Sequence, residues 1–356
     1  MPDSTHEPMR TPAAETNPFL HRFAWFLAGA TLLLICSGGM VTSKGVGLAV
    51  PDWPTTFGYN MFFFPVSQWV GGIFFEHTHR LLASGIGFLS IILAFWLAFS
   101  KAERWLKTLG WVSLAAVILQ GILGGLRVTL LKDQMGIFHA CLAQAFLGLL
   151  VVIALATSPV WGLLSRRSTP IPRRSLALLA LAVTALIYGQ LALGATMRHQ
   201  HRDLSILDFP LAYGQVLPAT DPATIAGINE SRNALALSEV SAGQIWLQMS
   251  HRFMAALIGL ATAAFWLLVR REKDGSPFLG KLANLWLGLV LLQITLGAWT
   301  IWSNKAADIA TAHVAVGALT FATAIVISAT LLRLRQAATV TSPFVSQEEL
   351  VEIGAR

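Results

Sequence analysis

Residues 76–99 read EHTHRLLASGIGFLSIILAFWLAF, and no charged residue occurs between Arg80 and Lys101. A helix needs roughly 20 predominantly apolar residues to cross the hydrocarbon of a bilayer. This run supplies them behind a polar head of a glutamate, two histidines and an arginine. Worked outward from it, the same reading predicts spans at 23–42, 77–99, 108–126, 136–157, 175–197, 248–269, 282–301 and 309–332. Composition agrees: 55% of the 356 residues are hydrophobic and 12% charged, with a mean hydropathy of +0.63. A soluble domain of this size is excluded, and the chain is expected to be an all-α integral membrane protein of eight transmembrane helices.

The formal net charge of +7 is explained by where the basic residues fall. Lys101, Arg104 and Lys107, then Arg166, Arg167, Arg173 and Arg174, then Arg270, Arg271, Lys273 and Lys281, and lastly Arg333 and Arg335 occupy alternate connections. The positive-inside rule places those connections in the cytoplasm. Arg10 and Arg22 put the N-terminus there too, and an even number of spans returns the C-terminus to the same side. The expected location is the cell membrane, multi-pass, with both termini cytoplasmic. The charge reflects topology, and no nucleic-acid partner is expected. No cleavable leader is expected either, because the first apolar run is long and leads into a Gly-rich loop.

The head of the quoted run recurs. His79-Arg80 is matched by His251-Arg252 172 residues later, and His139 by His313 after 174. Asp52-Trp53-Pro54-x-x-Phe57-Gly58 is matched by Asp208-Phe209-Pro210-x-x-Tyr213-Gly214, and Gln120-x-x-x-Gly124 by Gln293-x-x-x-Gly297. Such register implies an internal duplication into two pseudo-symmetric four-helix bundles that enter the membrane in the same direction. The expected division is a cytoplasmic tail at 1–22, a first half at 23–160, a cytoplasmic linker at 161–174, a second half at 175–335 and a cytoplasmic tail at 336–356.

All four histidines then fall near the outer ends of spans 2, 4, 6 and 8. Imidazoles on facing helices of a bundle can hold a heme iron from both sides. The spacing therefore points to His79 with His139, and His251 with His313, as two axial pairs near the outer face. A lone histidine at a span end also serves as an interfacial or hydrogen-bonded residue, but that explanation would have to apply twice at equivalent positions. Cys36 and Cys141 lie inside spans and no Cys-x-x-Cys-His occurs, so covalent heme attachment, a disulfide and a zinc site are not expected.

Glu76 stands three residues before His79, whereas the position three before His251 is Gln248. On a helix that spacing puts the carboxylate and the imidazole on one face. A carboxylate at a heme edge can stabilise developing positive charge or accept a proton, and an amide does neither well. A glutamate favoured by a helix N-terminus is the plain alternative. His77, two positions from His79, turns about 200° away and cannot serve the same iron; it is expected to be interfacial or to act behind the ligand. His199 and His201 are expected in a loop. Arg80, Arg127, Arg198 and Arg252 offer guanidinium forks that suit heme propionates and lipid phosphates alike. The two Asp-aromatic-Pro segments read as rigid turns. Gly38-Gly39, Gly121, Gly124-Gly125 and Gly194 read as small residues for close helix approach that could also leave room for a macrocycle. Met61–Pro65 reads as an interfacial segment able to wall off a lipophilic ligand, and 198–247 as a long loop whose polar tract from Ala219 to Glu239 lacks periodicity.

With Glu76-His77-Thr78-His79-Arg80, Gly47-Leu48-x-x-x-Asp52-Trp53-Pro54, Gly124-Gly125-x-Arg127, His139, Ser250-His251-Arg252 and His313 all present, the chain resembles the heme A synthase family from about residue 20 to 335. The resemblance implies an eight-helix oxidoreductase that oxidises a ring methyl of heme O to a formyl group, giving heme A for terminal cytochrome oxidase. It implies substrate heme between His79 and His139, heme b between His251 and His313, and Glu76 as the catalytic glutamate. Heme O supplied by heme O synthase, membrane lipid, cytochrome oxidase assembly proteins, an electron acceptor or donor and a homo-oligomer are the partners it allows. The cysteine pair that some members carry in an outer loop is absent. Two other classes share parts of the pattern: a diheme b-type electron carrier, which would not need Glu76 in one half only, and a heme or lipid transporter, which would place polar groups and broken helices near the midplane.

Overall fold

The computed structural model describes residues 17–166, 172–200, 204–272 and 276–341. Among these, ten α-helices follow in order: α1 (Pro18–Ser43), α2 (Gly71–Phe99), α3 (Arg104–Leu130), α4 (Asp133–Ala156), α5 (Pro159–Arg166), α6 (Arg174–His199), α7 (Pro222–Ala234), α8 (Ala242–Arg271), α9 (Pro277–Trp302) and α10 (Ala307–Thr341). All but α5 and α7 are long and apolar enough to cross a membrane. The chain is a multi-pass helical membrane protein, as its apolar runs predict.

Local sequence sets the helix ends. Asn17 caps α1 by accepting the Phe19 and Leu20 amides, with Pro18 in the first turn. Pro277 opens α9 in the same way. Gln244 reaches back to the Ser241 amide at 2.9 Å to close a capping box at the start of α8. Leu131, at φ 54°, ends α3 in the left-handed region. Because α2 begins at Gly71, Glu76 lies inside the helix, so it and His79 do share a face.

Helices α1, α2, α3 and α4 pack in a closed ring of neighbours, and α6, α8, α9 and α10 form a second ring. The rings meet through α1 against α10, α4 against α6 and α4 against α10, so the first and fourth helices of each set form the inner layer. Leu27, Leu93, Leu97, Leu150 and Ile153 fill the first core, and Leu176, Phe265, Trp286, Ile327 and Leu331 the second. A Cβ on Gly148 of α4 would lie 2.5 Å from Ile325 Cδ1 of α10, so glycine is what permits this approach. Phe88, Phe99, Leu260 and Leu291 on the outer helices are exposed, as suits surfaces that face lipid.

The loop between α1 and α2 and the loop between α6 and α7 carry the repeat down to backbone detail. Asp52 accepts the amides of Phe57 and Gly58, each at 2.8 Å. Asp208 likewise accepts those of Tyr213 at 2.8 Å and Gly214 at 2.9 Å. Each loop has positive φ at the aromatic-Gly pair, a cis peptide before its proline, and one isolated bridge, Thr56 with Tyr59 and Ala212 with Gln215. Around Asp52, partial burial pushes the carboxyl up, but the bonds from Thr55, Gly58 and Phe57 outweigh it and hold it below the ordinary carboxylate value.

Two expectations need correction. The tract at 219–239 is not without structure, since it contains α7, capped by Asp221 through the Ala223 and Thr224 amides with Pro222 in the first turn. Its Ile225 and Ile228 pack against a small cluster of Ile206, Ala212, Val240, Ile245 and Met249. The stretch expected as a linker from 161 opens within the short helix α5, which packs against α10. His199 is the last residue of α6 and not a loop residue, while His201 lies outside the described residues. The Met61–Pro65 segment forms a short 3-10 turn at Met61–Phe63, with Phe62 and Phe63 strongly exposed.

Candidate functional site

His79 stands on α2, His139 on α4, His251 on α8 and His313 on α10. Each imidazole lies over a glycine of a neighbouring helix. A Cβ on Gly38 of α1 would come within 2.9 Å of His79 Cε1, and one on Gly124 of α3 within 3.4 Å of His139 Cε1. In the second set, Gly194 of α6 would meet His251 Cε1 at 3.3 Å and Gly297 of α9 would meet His313 Cε1 at 3.1 Å. All four helices of each ring therefore contribute, two supplying imidazoles and two the bare backbone on which those rings rest. Carbon atoms sit comfortably at roughly 3.5–4.0 Å, so a methyl would crowd the His79 ring most, the His313 and His251 rings less, and the His139 ring, at 3.4 Å, hardly at all.

The Nδ1 atoms of all four histidines are buried without a hydrogen-bond partner among the described residues, which is uncommon for buried polar atoms. His79 and His139 lie within electrostatic reach of each other, as do His251 and His313. Gln120 donates to the His139 carbonyl at 3.0 Å, Gln190 to that of His251 at 2.9 Å, and Gln293 Nε2 is 3.5 Å from His313 Nε2. Paired imidazoles with unclaimed nitrogens, resting on surfaces that a side chain would fill, fit the axial positions of a flat macrocycle. They do not fit a bare zinc ion, which needs three or four converging ligands, and no such group converges among the described residues.

The two sets differ at the turn before the first histidine. Glu76 Oε2 accepts the Val50 amide at 2.9 Å, and its Oε1 is 2.7 Å from the Arg80 guanidinium. Gln248 instead accepts the Ile206 amide at 2.8 Å and donates to the Ile206 carbonyl at 3.1 Å. Val50 and Ile206 each precede the loop aspartate by two residues, so the same tie from helix to loop is made by an ion-paired carboxylate in one set and by an amide in the other.

Arg80 bonds the carbonyls of Val50, Asp52 and Thr55 at 2.8, 2.6 and 3.1 Å, while Arg252 bonds those of Asp208 and Leu211 at 2.7 and 2.8 Å. Both guanidinium groups are thus clamps on the loop turns. Arg127 differs: it makes no hydrogen bond among the described residues, and a Cβ on Gly47 would lie 2.8 Å from its Nη2. It is within electrostatic reach of Glu76, His79 and His139. Extending the Gln-x-x-x-Gly register by three residues places Thr300 opposite Arg127, so the first set is distinguished by a cation as well as a carboxylate.

His77 points away from His79, as its spacing requires. It is fully buried, 3.2 Å from Thr56 Oγ1, and packed on Phe64 and Trp69 with ring centroids at 5.1 and 4.6 Å. Trp53 lies flat over Gly125 of α3, where a Cβ would come within 2.4 Å of the indole.

Fold and residues together define a helical membrane protein with a pair of histidines in each of two four-helix sets. A family profile described as cytochrome oxidase assembly protein (COX15-CtaA) matches residues 21–325, and the chain belongs to that family. It is similar to the heme A synthase of Shewanella oneidensis, 26% identical over 323 residues that cover 84% of this chain and 92% of that one. The heme A synthase of Shouchella clausii is 24% identical over 266 residues, covering 72% and 85%. That of Alkalihalophilus pseudofirmus is 26% identical over 256 residues, covering 68% and 82%.

Proposed function

We propose that this protein is a heme A synthase, an oxidoreductase that converts heme O to heme A. The observation that carries the reading is the contrast between Glu76 and Gln248 in otherwise matched settings, and the shared name of the relatives supports it. His79 and His139 hold the substrate heme, and His251 and His313 hold heme b, which supplies one-electron transfer when bound. Both sites lie near the outer face, with the termini in the cytoplasm.

At each of two hydroxylations a methyl C–H bond is replaced by C–OH with oxygen from water, two protons are released and two electrons pass to an external electron acceptor; the resulting gem-diol loses water to give the formyl group. Glu76, oriented by Arg80 and the Val50 amide, stabilises positive charge developing at the methyl carbon or takes up a proton. Gln248 does neither well, which supports the first half as the seat of the chemistry. Arg127 faces the substrate pair and is the guanidinium best placed for a propionate. Arg80 and Arg252 contribute positive charge while holding the outer loops over their sites.

The test is to purify the protein from cells supplying heme O and to identify the extracted hemes by mass. Heme A together with heme b is expected. Heme b alone, with added heme O unchanged under turnover conditions, would overturn the synthase reading in favour of an electron carrier.

A further inference from the structure

The outer end of α6 belongs to both halves. Arg198 donates to the Gly39 carbonyl of α1 at 2.7 Å and to the Ser43 hydroxyl. Gly39 adjoins Gly38, the residue beneath His79, and Arg198 lies one helical turn beyond Gly194, the residue beneath His251. Ser43 in turn is 3.2 Å from the Thr311 hydroxyl of α10, two residues before His313. The next residue of α6, His199, covers Gly136 of α4, one turn before His139: a Cβ there would lie 2.5 Å from the imidazole. Two consecutive side chains of the second half thus reach α1 and α4 of the first, at the level of both histidine pairs.

We infer that the Arg198 guanidinium is shared by the two heme sites, adding positive potential at both beside Arg127 at the first pair and Arg252 at the second. Arg198 is anchored beside the cradle of His79 and carried just beyond the cradle of His251, so a change of its charge reaches both sites. Nearby positive charge disfavours the ferric state, so it raises the reduction potential of each heme. The inference rests on the heme assignment made above.

Redox titration of the purified, heme-loaded protein, followed by absorbance, separates the two claims. Lack of a histidine-ligated heme at either pair in the unaltered protein would defeat the assignment itself. With both hemes present, Arg198→Gln is expected to lower both midpoint potentials, and Arg198→Lys, which keeps the charge, to restore most of the shift. Ser43→Ala, which removes one acceptor and no charge, is expected to leave both potentials in place. Ser43→Asp, which sets a carboxylate against the guanidinium, is expected to lower both and carries the test if Arg198→Gln does not accumulate. A shift at one heme only, no shift, failure of lysine to restore it, or an equal shift in Ser43→Ala would overturn the inference.

Discussion

Gln248 bonds both backbone polar groups of Ile206, whereas Glu76, at the matching position, bonds only the amide of Val50 and leaves the carbonyl to Arg80. Glu76→Gln can therefore adopt the arrangement already present in the second half. It should fold and retain both hemes while losing about 10²-fold or more of its conversion rate. Turnover near that of the unaltered protein would remove Glu76 from the chemistry. The reverse change, Gln248→Glu, sets a carboxylate against the Ile206 carbonyl and should destabilise the protein by roughly 1–3 kcal/mol without creating a second reaction site, as thermal melting and product analysis would show.

The glycine cradles predict a graded response. Gly38→Ala places a methyl 2.9 Å from His79 and should strip heme from the first pair, while Gly124→Ala, at 3.4 Å from His139, should be nearly tolerated. In the second half Gly297→Ala, at 3.1 Å, should cost more heme than Gly194→Ala, at 3.3 Å. Heme-to-protein ratios measured on the four variants check this order.

Assignment of the halves is checked with His251→Ala. The variant should lack heme b and keep the substrate heme between His79 and His139. Loss of the substrate heme alone would reverse the assignment.

Arg80→Ala removes the partner of Glu76 and leaves three loop carbonyls without their donor. Breaking a buried ion pair from one side costs about 3 kcal/mol or more. Arg252→Ala, which breaks no ion pair among the described residues, should cost less. Thermal melts of the two variants in the same detergent make the comparison.

Acid should loosen the loop between α1 and α2 before the helices. Because the folded state holds the Asp52 carboxyl below its ordinary value, the stabilisation is fully present above about pH 4. It is lost as pH falls through the lower folded value. Limited proteolysis between Val50 and Gly71 should therefore increase on acidification, and Asp52→Asn should show that susceptibility at neutral pH.

Much of this was legible in the residues because membrane helices declare themselves by length and apolarity, and because a duplicated chain marks its special positions twice. The four histidines, Glu76 against Gln248, and the Gly38, Gly124 and Gly194 positions all follow from those two signals. What the glycines rest against does not, since a cradle exists only when two helices meet at one height. Helix α7 was hidden because its stability comes from the Asp221 cap and from Ile225 and Ile228 on a small satellite core, not from a periodic apolar face. The clamping roles of Arg80 and Arg252 depend on where loop carbonyls fall in space. Arg127 against Thr300 was within reach, had the repeat been followed three residues past its glycine.

The inner layer of α1, α4, α6 and α10 has an evolutionary corollary. A free-standing four-helix ancestor with this inner face could bury it only against another copy of itself, in a symmetric dimer. In such a dimer every substitution appears at both sites at once, and a carboxylate could not arise at one without the other. Within one polypeptide the matched positions are free to differ, as Glu76 and Gln248 do.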